Sequence, residues 1–132
     1  MQHTEERDQP LRGGRLNAAI ANHVVRLFSA YTGRGPTQAR TIRSGNVIAV
    51  YTEDLMTKAE RVLTEAGEED TVVSLRRKFQ RTMRDDLVAG VETLTNRKVV
   101  SFLSDHDAIR DCCVEVFVLD MPVDDEEGLT AG

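Results

Sequence analysis

Tryptophan is absent and aromatic residues make up only 5% of the 132 residues, so whatever core forms must be aliphatic. Cysteine is scarce as well: the two present, Cys112 and Cys113, are adjacent. On a strand they would point to opposite faces, and there is no CxxC spacing, metal-ligand pair or disulfide framework. They read as small packed residues in a reducing compartment. No apolar run approaches the roughly 18–20 residues that a bilayer-spanning helix needs. The opening MQHTEERDQPLRGGR is polar and lacks the apolar core of a secretion signal, which makes the cytoplasm the expected location. The net charge of −5 is the wrong sign for bulk polyanion binding, which needs a positive field. It argues against nucleic acid as a partner while leaving a local basic face open. Ser, His, Asp and Cys occur without the local signatures of a nucleophile and its base. No catalytic residue, metal set or cofactor motif is read from the chain, and a non-catalytic protein is expected.

What is present fits one domain; 40% hydrophobic and 30% charged residues is an ordinary globular composition. Residues 1–14, with Pro10 and Gly13-Gly14, read as a flexible tail, 15–119 as the folded domain, and 120–132 as an acidic tail. The longest periodic stretch is 71–95. There Val72, Leu75, Phe79, Met83, Leu87, Val91 and Leu94 recur at steps of three and four, one stripe of a helix expected to pack on a sheet. Arg76, Arg77, Arg81, Arg84 and Asp85 fall on the opposite face. A first helix over 15–32 carries Leu16, Ile20, Val24, Leu27, Phe28 and Tyr31 and stops at Gly33, which suits a left-handed cap. β-Branched residues over 37–43 and 46–52, around Ser44-Gly45-Asn46, predict a hairpin. Thr57-Lys58-Ala59-Glu60 has the spacing of a capping box, opening a short helix that ends before Gly67, with Leu55 or Met56 placed to staple onto Arg61 or Val62. Glu68, Glu69 and Asp70 then lie where a helix start favours carboxylates, and Asn96 tolerates the left-handed turn that ends the long helix. Strands are expected at 98–104 and 112–119, with a loop at 105–111.

The order α-β-β-α-α-β-β implies an α+β fold: a four-stranded antiparallel sheet with helices packed on one face. Val114, Val116 and Val118, with Phe117 on the reverse side, make the last strand apolar on both faces. A sheet covered by helices on one side only then needs other cover for the second, and a homodimer is expected.

Candidate sites are few. Gly33-Arg34-Gly35-Pro36 follows a helix and precedes a strand, the reverse of the order in a phosphate cradle. It reads as a rigid corner, with Arg34 and the Gly35 amide as possible ligand contacts. Arg77, Arg81 and Arg84 stand at i, i+4 and i+7, one basic stripe, and Arg40 and Arg43 alternate on the first strand. Guanidinium groups suit phosphate and carboxylate; the plain alternative is a solvated face paired with Asp85, Asp86 and nearby glutamates. Arg34, Gly35, Arg40, Arg77, Arg81 and Arg84 are therefore the candidate ligand- or partner-binding residues. Asp105-His106-Asp107 offers two carboxylates and an imidazole, but consecutive residues rarely reach one ion, and an exposed loop is the simpler reading. His23, beside the first helix's stripe, reads as a packed or interface histidine.

The segments GRLNAAIANHVVRLFSAYTGRGPTQART, LMTKAERVLTEAG, VVSLRRKFQRTMRDDLVAGVETLTNRKVVSFLSD and VEVFVLD, in that order, resemble the bacterial MpsC-like family. That family takes its name from the C component of a Na+-translocating membrane-potential-generating system. The resemblance spans 14–119, with Asn96 standing where relatives carry Gly. It implies a cytosolic accessory or regulatory protein linked to ion or bicarbonate transport, with a protein partner at a membrane transport system, and it implies no known catalytic residue. From another class, the alternative is a nucleic-acid or anionic small-ligand binding module using the arginine face and the GRGP loop.

Overall fold

The structure is a computed structural model that describes residues 11–123. Its elements are α1 (Gly13–Thr32), β1 (Gln38–Ser44), β2 (Val47–Glu53), α2 (Lys58–Glu65), α3 (Glu69–Thr95), β3 (Val99–Asp107) and β4 (Cys112–Leu119). The strands form one antiparallel sheet in the order β1-β2-β4-β3, so the second hairpin joins the first through its last strand and leaves β3 at an edge. The expected α+β architecture is the one observed. The tail expected at 1–14 gives up its last two residues to α1, while 1–10 and 124–132 lie outside the described residues.

Local chemistry explains the boundaries. Gly33 and Gly67 take positive φ after α1 and α2, and Asn96 does so after α3 (φ 55°), where its amide returns to the Glu92 carbonyl at 2.9 Å. The capping box is complete: the Glu60 amide donates to Thr57 Oγ1 (3.2 Å) and the Thr57 amide to Glu60 Oε1 (2.9 Å). The hydrophobic staple differs from expectation. Val62 is exposed, and Met56 packs instead with Val72, Ala108 and Leu63 in a small second core.

The main core lies between the helices and one sheet face. Leu16, Ile20, Val24 and Phe28 of α1 and Met83, Leu87 and Val91 of α3 meet Ile48, Val50, Phe117 and Leu119. His23 is a packing residue. Its Nε2 lies 3.1 Å from the carbonyls of Asp86 and Leu87, and a Cβ at Gly90 would overlap its ring, so Gly90 lets α1 approach α3.

The long helix is rotated relative to the expected stripe. Its buried face is Val72, Arg76, Gln80, Met83, Leu87, Val91 and Thr95, whereas Leu75 is exposed and Phe79 half-buried. The expectation that Leu75 and Phe79 pack on the sheet is thus corrected, as is the placing of Arg76 on the solvated face. In the N-terminal half of α3 the inward positions carry polar groups, and a stripe drawn through apolar residues alone drifts off the true face. The expected loop at 105–111 is also too long. Asp105, His106 and Asp107 belong to β3, and only a tight turn through 108–111 precedes β4, with Asp111 left-handed (φ 51°).

Candidate functional site

Side-chain alternation divides the sheet into two faces. Toward the helices, strand register aligns Thr41, Val50, Glu115 and Ser104 in one row, with Ala39, Thr52, Cys113 and His106 in a neighbouring row. A fully buried carboxylate, Glu115, therefore stands mid-sheet beneath α3. Gln80 Nε2 approaches Glu115 Oε1 at 3.4 Å, and Cys113 Sγ donates to the same oxygen at 2.9 Å. Burial raises the Glu115 pKa despite these contacts and the nearby Arg76 charge. Burial, reinforced by Glu115, pushes the Cys113 thiol well above its ordinary range.

One turn of α3 earlier, Arg76 is 1% exposed. It pairs with Glu60 at 2.7 Å and donates to the Leu55 carbonyl at 2.7 Å. The glutamate of the capping box thus holds the buried arginine as well as its own helix start. His106, expected on an exposed loop, faces inward beside Asp111 (3.5 Å). Burial first, and then Arg76, lower its pKa. Among the described residues several polar atoms in this layer have no partner, namely Arg76 Nε and Nη1, Glu60 Oε2 and Gln80 Oε1, while the Ser104 hydroxyl stands against Glu115 and Cys113. Among the described residues no group of three or more His, Cys, Asp and Glu could hold a metal ion.

The six candidate residues separate into three places. Arg34 pairs with Asp54 (2.7 Å), which also meets Arg61, and Arg34 first and Arg61 further down hold the Asp54 carboxyl below its ordinary pKa. Arg61 reaches Asp111 at 3.3 Å, whose carboxylate accepts the Leu55 and Met56 amides. These contacts pin the loop after β2 to the β3–β4 turn. Gly35 lies against α1, where a Cβ would overlap Ser29 Oγ. Arg34 and Gly35 therefore serve a structural corner.

Arg40 lies on the other sheet face, its guanidinium 5.6 Å from the Tyr51 ring. Only Arg77, Arg81 and Arg84 come together. With Gln80, Phe102 and Ser104 they line a groove of about 220 Å³ between α3 and the edge strand β3. Arg84 stacks 5.5 Å from the Phe102 ring. Of the expected acidic partners, Asp86 is turned toward α1, where it accepts from the Tyr31 hydroxyl at 2.6 Å. A larger cleft of about 570 Å³ lies at the end of the sheet and is acidic, lined by Glu69, Asp70, Asp105 and Asp107 together with Tyr51 and His106.

Sequence reading missed Glu115, Gln80, Ser104 and the burial of Arg76. A signal for Glu115 was present: in CCVEVFVL it shares phase with Cys113, Phe117 and Leu119, the face with the larger apolar residues. Gln80 and Ser104 have no such signature.

The outer sheet face is apolar. Ile42, Val47, Leu103 and the half-buried Ala49, Tyr51, Val114, Val116 and Val118 stand on it, and nothing among the described residues covers it. Together these features define a small two-layer α+β domain with a polar layer inside its helix–sheet interface and an uncovered apolar sheet face. The chain belongs to the MpsC family: the family described as the Na+-translocating membrane potential-generating system (MpsC) matches residues 12–121. No curated protein and no solved structure matches it. No helix among the described residues is long and apolar enough to cross a membrane.

Proposed function

We propose that this chain is a non-catalytic accessory component of a Na+-translocating membrane-potential-generating system, acting as a cytoplasmic homodimer assembled through the outer sheet face. The family match supports the link to that system. The free cysteines, Cys113 buried and Cys112 half-buried, suit a reducing compartment. The observation that carries the assembly is the charge pattern on the outer face. Strand register aligns Arg40, Tyr51, Val114 and Asp105 in a single row, positive at the β1 edge, negative at the β3 edge and apolar between. A second copy related by a two-fold axis parallel to the strands brings β1 over β3 of its partner. Arg40 then meets Asp105, and the exposed Ile42 meets the exposed Leu103, each contact made twice. No other placing of the two-fold between stacked faces joins the opposite charges.

The role is tested in native cells lacking the chain, by measuring the Na+-dependent part of the membrane potential. Loss of the chain lowers that part; wild type restores it, and Val116→Asp, which puts a carboxylate in the middle of the outer face, does not. An unchanged Na+-dependent potential in cells lacking the chain would overturn the reading.

A further inference from the structure

The groove between α3 and β3 lies on the helix side of the sheet, away from the face assigned to assembly, and its chemistry points elsewhere. Every ion pair found among the described residues uses other cations: Arg34 and Arg61 with Asp54 and Asp111, Arg76 with Glu60, and His106 with Asp111. Arg77, Arg81 and Arg84 stand side by side with no carboxylate partner among the described residues, on a chain whose net charge is −5. Three guanidinium groups on one wall create a local positive field that calls for an anion of more than one charge. Their fork geometry favours the oxygens of phosphate. Phe102 supports Arg84 from below, fixing one of the three.

The floor asks for something different. Gln80 is only 7% exposed, it lines the groove, and its Oε1 has no partner among the described residues. A buried acceptor left unpaired is costly, so the matching ligand brings a hydrogen-bond donor to the floor. The volume, about 220 Å³, admits only a small group. Since β3 is the sheet edge, the groove opens sideways and a longer molecule can insert its head while its remainder stays outside.

We propose that this groove binds a hydroxyl-bearing phosphate: the arginines hold the phosphate oxygens, and a ligand O–H donates to Gln80 Oε1. Hydrogen phosphate, glycerol phosphate and a glycerophosphate lipid headgroup share this chemistry. Sulfate at neutral pH supplies the oxygens without the O–H and binds more weakly.

The test is titration of the full chain, followed by calorimetry and by amide NMR, with inorganic phosphate, glycerol 3-phosphate and sulfate, and separately with vesicles of phosphatidylcholine with or without phosphatidic acid. The expected result is saturable binding of the phosphates, with shifts centred on the Gln80 side-chain amide and Ser104. Arg77→Ala with Arg81→Ala should weaken binding about tenfold or more at unchanged melting temperature, since exposed substitutions usually leave stability nearly untouched. Gln80→Met, which keeps the shape and removes the floor acceptor, should erase the preference for phosphate over sulfate. Binding of free phosphates assigns a soluble ligand. Binding only to phosphatidic-acid vesicles, lost in the double variant, assigns the headgroup. Absence of binding in both arms, or binding indifferent to the double variant, overturns the proposal. Because the groove and the outer face are separate, either result leaves the assembly reading to its own test.

Discussion

Burial takes the Glu115 carboxyl out of water and leaves it a thiol, a hydroxyl, an amide and a nearby guanidinium in exchange; its pKa rises, with desolvation the largest cause. The folded value therefore exceeds the unfolded one. The stabilisation tied to the neutral form is complete below the ordinary carboxylate range and is lost as pH rises through the raised folded value. Glu115→Gln stays neutral at every pH and nearly keeps the shape. The stability of this variant relative to wild type should increase steadily as pH rises above the carboxylate range, and settle to a constant offset at acid pH. His106, whose pKa is lowered, pulls the other way, since its stabilisation is lost as pH falls through its folded value; present in both proteins, it cancels in the difference. Urea unfolding of the pair from pH 4 to pH 8 checks this. A difference that does not change with pH would place the Glu115 charge in water after all.

At the scale of elements, the legible parts were those written in local chemistry. The Thr57–Glu60 box, the helix stops at Gly33, Gly67 and Asn96, and the alternation of β4 depend on neighbours a few residues away, and they appear as expected. The face of α3 was not legible in full, because what fills its inward positions is settled by residues far along the chain. Arg76 is acceptable inside only because Glu60, sixteen positions earlier, is buried with it, and Gln80 only because Glu115 lies beneath, thirty-five positions later. The same distance hid the groove: the arginine stripe was readable from its spacing, but not Ser104 and Phe102 across from it. The rotation of α3 gives a direct comparison. Leu87 is fully buried, so Leu87→Ala should cost about 2–5 kcal/mol. Phe79 is half-buried and packs on neither core, so Phe79→Ala should cost only about 1 kcal/mol. Denaturant unfolding separates the two; a Phe79→Ala loss equal to that of Leu87→Ala would restore the stripe drawn from apolar residues alone.

At the scale of the whole molecule, the layers leave one apolar sheet face without cover among the described residues. Four strands at about 4.8 Å spacing and roughly 25 Å length make that face some 20 by 25 Å. A face-to-face pair then buries on the order of 1,000 Å² in total, at the small end of specific interfaces. Apolar contact alone would fix neither the partner nor the orientation; in the proposed pair the row from Arg40 to Asp105 would supply both, and because such a pair is isologous any change in it would act twice. Light scattering at micromolar concentration on wild type, Arg40→Asp, Asp105→Arg and the chain with both changes is therefore the decisive measurement. Wild type and the doubly changed chain should show twice the 14.7 kDa chain mass, and each single variant should show the chain mass itself with its fold intact. A wild-type monomer, or single variants that dimerise as wild type does, would contradict the self-complementary face.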